Sequence, residues 1–265
     1  MGEVSSLRVG RFMRLPRRSD ERWQGGLVRL PSWVDEPDGP FRPWAAVWVS
    51  RSTGVVHAEI EHERSSHDWT LLLDALIAFG LKRGLVECRP AVLEVADEDL
   101  GHRVREALGD RDLEIALAPG LPAVQEVLAA MSEHANGRAM PPGALDGTGV
   151  TVDRMRGFAG AARRFWEAAP WRYLSDEDIV EIEALAAGRG LAHVVVLGAA
   201  GQTFGVAFFD SVKDHEAGAL DHPRWSVLFG PITDLPFGDA DLWEDHGLPV
   251  ADPEAYPRGR RGTPG

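Results

Sequence analysis

A segment near residue 60 carries histidine and carboxylate side chains at alternate positions. His57, Glu59 and Glu61 are two residues apart, so a regular strand places all three on one face. Imidazole nitrogens and carboxylate oxygens bind divalent cations in proteins, and these residues are therefore candidate metal ligands. The same alternation is typical of a strand face exposed to solvent, and we favour this second interpretation.

Large aromatic side chains form a second group of candidates. Trp171 and Tyr173 follow Pro170, where a helix should break, and Trp225 lies in a region rich in loop-forming residues. Aromatic side chains in such surroundings either line a binding pocket or fill a core. Trp171, Tyr173 and Trp225 are therefore candidate binding residues, although we favour core packing for them.

The composition indicates a globular protein and argues against general binding to nucleic acid. The chain has 265 residues, 44% of them hydrophobic, and a formal net charge of -13. Because phosphate binding depends on clustered Lys and Arg, nucleic acid is not an expected partner. Residues 210–254 contain 11 acidic residues against Lys213 and Arg224. This segment predicts either a solubilising surface or a docking surface for a basic protein partner.

The sequence predicts a cytoplasmic location and no cofactor. Cys88 is the only cysteine, which excludes an internal disulfide and a zinc site with several cysteine ligands. The N-terminal segment contains arginines but lacks the apolar stretch of a secretory signal. No apolar segment reaches the roughly 20 residues that span a bilayer.

Local composition divides the chain into two modules. Residues 136–149 contain four glycines and two prolines, which makes continued regular structure costly. We therefore predict a linker between a first module and a smaller α+β module, with loosely ordered residues at both ends of the chain. The predicted segments are a basic N-terminal arm (1–20), a first module (21–135), the linker (136–152), a second module (153–257) and a disordered tail (258–265).

The first module alternates strand and helix patterns. Apolar residues over 44–50 and alternating residues over 55–61 predict a β-hairpin with its turn at Gly54. Short apolar segments at 91–95 and 113–117 follow helical patterns and should join the sheet in parallel through helical crossovers. The prediction is an α/β fold with a mixed sheet and helices.

Several of these segments resemble known families. Residues 23–27 (WQGGL) resemble the first strand of retroviral-type integrase and transposase cores, and residues 90–97 resemble the strand that delivers their second catalytic aspartate. This resemblance implies a ribonuclease-H-like core in about half of the chain. Residues 20–256 resemble a bacterial two-module family of domains of unknown function, marked by the segment 171–178 and the hairpin segment 201–205.

The integrase resemblance also implies positions for catalytic carboxylates. Such cores use three carboxylates to hold two metal ions, which stabilise the attacking and leaving oxygens of a phosphodiester. Gly26 stands at the first position and cannot bind metal, Asp97 matches the second, and Glu126 or Glu133 matches the third. Asp97 also suits a helix N-cap, which is the interpretation that we favour.

Three functions are compatible with these patterns. The favoured hypothesis is a non-catalytic binding or interaction protein, because one metal-bridging carboxylate is missing. The first alternative is a nuclease or phosphodiesterase of ribonuclease-H-like type that depends on Mg²⁺ or Mn²⁺. The second is a small-molecule binder with a pocket at the junction of the modules.

Overall fold

The chain consists of two compact units. The computed structural model describes residues 6–61, 69–109, 113–136, 141–182, 193–209 and 223–261. The units are Met1–Met140 and Pro141–Gly265, and the division between them falls within the segment predicted as a linker. Among the described residues, no helix is long and apolar enough to cross a membrane.

The first unit contains alternating strands and helices. In chain order, its described elements are α1 (Ser6–Met13), β1 (Arg17–Arg29), β2 (Trp44–Ser50), β3 (Val56–Glu61), α2 (Trp69–Gly80), β4 (Arg89–Val95), α3 (Glu98–Leu108), β5 (Glu114–Leu117) and α4 (Pro122–Asn136).

The strands of the first unit form one mixed sheet in the order β3-β2-β1-β4-β5. Strand β2 pairs antiparallel with both β1 and β3. Strand β4 is parallel to β1, and β5 is parallel to β4. The predicted antiparallel hairpin and the predicted parallel later strands are thus confirmed. This strand order with β2 alone reversed is the ribonuclease-H-like topology, so the first unit has the fold that the resemblance implied.

Apolar side chains cover both faces of this sheet. On one face, Trp23 and Trp48 are fully buried and pack with the apolar side of α2. On the other face, Val47 packs with Val124 of α4. The ring of Trp48 occupies the space beside Gly25, where a Cβ atom would overlap it. Gly25 is therefore required by close packing within the sheet.

The N-terminal segment differs from the loose basic arm predicted for residues 1–20. Residues 6–13 form α1, and β1 begins at Arg17. Phe12 of α1 is buried, with its ring centroid 6.5 Å from that of Trp23. Arg8 pairs with Asp74 of α2 at 2.9 Å. The arginines therefore lie around an apolar anchor that holds this segment against the core; residues 1–5 lie outside the described residues.

The described residues of the second unit form an antiparallel sheet and two longer helices. Its described elements are a short 3-10 turn (Ala144–Asp146), α5 (Val152–Ala168), a 3-10 turn (Pro170–Arg172), β6 (Ile179–Glu181), β7 (His193–Leu197), β8 (Gly205–Phe209), β9 (Trp225–Gly230), a 3-10 turn (Ile232–Asp234), α6 (Phe237–His246) and β10 (Tyr256–Arg261). The strand order is β10-β9-β8-β7-β6, and every neighbouring pair is antiparallel.

The C-terminal segment differs from the disordered tail predicted for residues 258–265. Residues 256–261 form the edge strand β10, which pairs with β9 over its whole length. Arg258 donates from Nη1 to the carbonyl oxygen of Asp234 at 3.0 Å. Backbone pairing therefore orders a segment whose Pro, Gly and Arg composition predicts disorder, and residues 262–265 lie outside the described part of the chain.

Candidate functional site

A cleft of about 350 Å³ opens at the carboxyl ends of the two central parallel strands. The last residue pair between β1 and β4 joins Gln24 to Glu94. Strand β4 ends at Val95, whereas β1 continues to Arg29, so residues 26–28 of β1 have no partner in β4. In open α/β sheets, ligands bind beyond the carboxyl ends of the strands where neighbouring connections diverge. The cleft lies at such a place.

The walls of this cleft combine apolar surface with a few charged groups. Gly26 and Ala96, which carry little or no side chain, both line the cleft, and of the two only Ala96 is exposed. The other lining residues are the apolar Leu27, Trp44, Trp69, Leu100 and Leu121, and the charged Asp97, Asp99 and Arg103. Ligand pockets in proteins typically have this mixture of mostly apolar walls and a small number of polar groups.

Leu121 occupies the position of the first expected carboxylate. A Cβ atom on Gly26 would overlap Cδ1 of Leu121, whose side chain is 6% exposed. Leu121 has φ of 47°, a left-handed conformation that costs a non-glycine residue roughly 1–2 kcal/mol. Its N–H donates to the carbonyl oxygen of Ala118 at 3.0 Å. Packing against the face formed by β1 and β2 holds its side chain in place. Gly26 and Leu121 are therefore complementary in shape, and any side chain at residue 26 would displace the leucine.

Gln24 fixes the start of α4 beside this position. Its Oε1 accepts hydrogen bonds from the N–H groups of Ala123 at 2.6 Å and Val124 at 3.3 Å. Its Nε2 donates to Glu94 at 2.9 Å, and Glu94 also accepts from Arg22 at 3.0 Å. The Oε1 atom of Gln24 thus accepts from two N–H groups that the first turn of a helix leaves without partners. The glutamine was not identified from the sequence, where the only signal is a polar residue beside the apolar part of the strand.

Replacing Gln24 with alanine should lower the free energy of unfolding by about 1–3 kcal/mol, the usual cost of leaving buried polar groups without partners. Gln24 is 1% exposed, so water cannot readily replace its hydrogen bonds. Urea denaturation measures the change. Gln125 on α4 is exposed, and Gln125→Ala is the matched control. Equal stability of the two variants would contradict the role assigned to Gln24.

Asp97 is the N-cap of α3, as the favoured interpretation predicted. Its backbone is extended, with φ of -142°, and its Oδ1 accepts from the N–H of Leu100 at 2.8 Å. The carboxylate also lines the cleft. Asp97 therefore has a structural role and is accessible to a ligand in the same place.

The other two catalytic candidates lie on α4. Glu126 and Glu133 are both exposed, and neither lines the cleft at Gly26. Among the described residues, no three His, Cys, Asp or Glu side chains come together in a way that could hold a metal ion. The structure thus does not bring Asp97, Glu126 and Glu133 together.

The residues at the cleft do not fit the two divalent cations that ribonuclease-H-like enzymes use. Gly26 offers no side-chain oxygen, and the space beside it is filled by the methyl groups of Leu121. Of the three positions at which the integrase resemblance implies a carboxylate, only that of Asp97 carries a carboxylate that faces the cleft. A two-metal centre needs bridging carboxylates between the ions, and this arrangement lacks the bridge.

His57, Glu59 and Glu61 lie on the inner face of β3, contrary to the favoured interpretation of a solvent-exposed face. His57 pairs in register with the buried Trp48. The rings of His57 and of Phe79 on α2 are stacked, with their centroids 6.1 Å apart and an interplanar angle of 2°. Its Nε2 lies 3.4 Å from Oε1 of Glu59. The exposed residues of this edge strand are instead Ala58 and Ile60, which form its outer face. Packing of the imidazole on α2 explains the orientation.

A buried carboxylate that the sequence analysis missed ties the start of β1 to the β2–β3 turn. Glu21 is 4% exposed and accepts hydrogen bonds from Nε1 of Trp23 and from the hydroxyl groups of Ser50 and Ser52. These donors satisfy the carboxylate within the fold. Burial raises the pKa of the nearby Cys88 thiol, and the negative charge of Glu21 raises it further. Cys88 therefore stays protonated at neutral pH and behaves as a small apolar residue.

The three aromatic candidates of the second unit have different surroundings. Trp171 belongs to an aromatic cluster that also contains Phe165, Trp166, Phe204 and Phe229. Tyr173 is 84% exposed. Trp225 is 41% exposed, and the guanidinium carbon of Arg261 lies 5.9 Å from its ring centroid.

Known structures with some likeness to the chain are viral integrases. One is the catalytic core domain of HTLV-2 integrase in complex with magnesium, in its trimeric form, with 13% identity, coverage of 53% of this chain and 80% of that chain, and a TM-score of 0.32. Another is the intasome of simian T-cell lymphotropic virus in complex with PP2A regulatory subunit B56 gamma, with 13% identity, coverage of 45% and 43%, and a TM-score of 0.28. The strand order β3-β2-β1-β4-β5 shows the ribonuclease-H-like fold of the first unit.

Part of the chain also matches a protein family. No curated protein matches the chain. The match lies wholly within the first unit and includes the cleft, most of the N-terminal helix α1 and the Gly26–Leu121 contact. Residues 8–132 of this chain match the family described as a domain of unknown function (DUF6930).

Proposed function

We propose that the first unit is a non-catalytic binding module and that the cleft beside Gly26 is its recognition site. The observation that carries this proposal is the contact between Gly26 and Leu121. At the place where a ribonuclease-H-like enzyme needs a metal-bridging carboxylate, this chain has a glycine covered by a leucine. The absence of this carboxylate does not remove the cleft, because a cleft with aromatic walls remains beside Gly26.

The shape and lining of the cleft support recognition of a ligand. A volume of about 350 Å³ lies within the range of roughly 300–1,000 Å³ that is usual for ligand pockets. Trp44 and Trp69 provide large, rigid surfaces, and Asp97, Asp99 and Arg103 provide polar contacts. The scaffold around the cleft is buried sheet and helix, which holds these side chains in fixed positions.

The charge of the chain supports a protein partner over nucleic acid. The net charge of -13 repels phosphate, and two of the three charged cleft residues are carboxylates. A basic protein partner would instead be attracted, because opposite charge on two surfaces speeds their encounter.

A cleavage assay tests the proposal. Purified protein with Mg²⁺ or Mn²⁺ is expected to leave single- and double-stranded DNA and RNA intact, because the metal-bridging carboxylate is missing. The matched variant is Asp97→Asn, which keeps an oxygen acceptor for the N–H of Leu100 and removes the charge. Cleavage by the wild type that Asp97→Asn abolishes would overturn the proposal, and would favour the metal-dependent nuclease or phosphodiesterase.

A further inference from the structure

We infer that the cleft binds an arginine side chain of a basic partner protein. This inference rests on the proposed function, because it names the ligand class for the same cleft. It follows from two features of the cleft: its tryptophan walls and its carboxylates.

The aromatic walls are suited to a planar cation. A guanidinium group is attracted to the face of an indole ring and can stack on it. Trp44 already makes this contact within the chain, since the guanidinium carbon of Arg29 lies 4.8 Å from its ring centroid. Trp69 lines the same cleft and offers a second indole surface.

The carboxylates complete a site for a guanidinium group. Asp99 pairs with Arg103 at 2.8 Å, so the charges of these two residues balance one another. Asp97 accepts one hydrogen bond from a backbone N–H through Oδ1. A carboxylate has two oxygens and about four lone-pair positions, which leaves Asp97 able to accept further N–H donors from a ligand. Among the charged residues that line the cleft, the uncompensated charge is therefore negative.

The charge of the chain explains why the arginine should belong to a basic protein. The net charge is -13, and opposite charge on two proteins speeds their encounter.

Nuclear magnetic resonance of the full chain can test the inference with two peptides of equal shape. The probe is acetyl-Gly-Arg-Gly-amide, and its control is the same peptide with citrulline, which lacks the charge. We expect the arginine peptide to shift the indole N–H signals of Trp44 and Trp69 and to bind about fivefold or more tightly than the citrulline peptide, as the loss of a cation–π contact implies. Equal binding of the two peptides, or no binding of either, would overturn the inference.

Two variants with the same change in net charge locate the site. Asp97→Asn should weaken binding of the arginine peptide about fivefold and keep the helix cap. Glu126→Gln removes one charge from an exposed position on α4 outside the cleft and should leave the affinity unchanged. An equal loss in both variants would show non-specific attraction and overturn the inference. Failure of peptide binding would leave the cleavage assay unaffected, so the two proposals can be separated.

Discussion

Replacing Trp48 with alanine should lower the free energy of unfolding of the first unit by about 3–5 kcal/mol, the usual cost of truncating a buried aromatic side chain. Trp48 is fully buried at the centre of the sheet. Its Nε1 donates to the carbonyl oxygen of Leu72 at 2.9 Å, which connects β2 to α2. Its ring also fills the space beside Gly25, so alanine would leave a cavity within the core.

The effect of Trp48→Ala can be measured by urea denaturation followed by circular dichroism. Trp225→Ala is the control, because this tryptophan is 41% exposed and its truncation should change stability by only about 0.5 kcal/mol. Similar midpoints for the two variants would show that Trp48 does not carry the core of the first unit.

Replacing Trp171 with alanine should destabilise the second unit by about 3 kcal/mol, near the lower end of the usual range because its ring is only partly buried. Its ring centroid lies 5.1 Å from that of Trp166 and 5.0 Å from that of Phe204. The side chain also covers Gly198, where a Cβ atom would contact both Trp171 and Phe204. Alanine would remove these contacts together.

The neighbouring Tyr173 provides a matched control for Trp171. Tyr173 is 84% exposed, so Tyr173→Ala should leave the thermal midpoint nearly unchanged, whereas Trp171→Ala should lower it by several degrees. If Trp171→Ala leaves the midpoint unchanged, the aromatic cluster is not a structural core. A ligand-binding role for Trp171 would then be favoured.

The sheet of the first unit could be predicted where local patterns agree with the fold. The β2–β3 hairpin has a glycine turn, and β4 and β5 are short apolar segments between helical patterns. Strand β1 is harder to predict from the sequence, because its first five residues (17–21) are all polar. Those residues pair with β4 or hold a buried carboxylate, and both are tertiary interactions without a local signal.

The cleft could not be predicted for a related reason. The donor and acceptor of the bond between Ala123 and Gln24 are 99 residues apart. The fit between Leu121 and Gly26 depends on a left-handed backbone that the sequence does not signal for a leucine. Resemblance indicated that the carboxylate at residue 26 was missing, and only the structure showed what takes its place.

For the edge strands β3 and β10, predictions from local composition are wrong because pairing and packing determine their structure. Strand β10 is rich in Arg, Gly and Pro, yet it forms six residue pairs with β9. Strand β3 has the alternation of a solvent-exposed face, yet His57 lies on Phe79. Backbone hydrogen bonds and packing against a neighbouring helix are available only once the chain has folded, and both override local composition.

Manganese binding tests most directly whether Gly26 and Leu121 have replaced a catalytic metal centre. The signal of free Mn²⁺ in electron paramagnetic resonance falls as the ion binds, so a titration measures binding without any assumption about the substrate. We predict that wild type and Asp97→Asn remove equal amounts of Mn²⁺, because the cleft lacks the carboxylate that would bridge two ions. A Mn²⁺ site that is present in the wild type and abolished by Asp97→Asn would contradict the non-catalytic function.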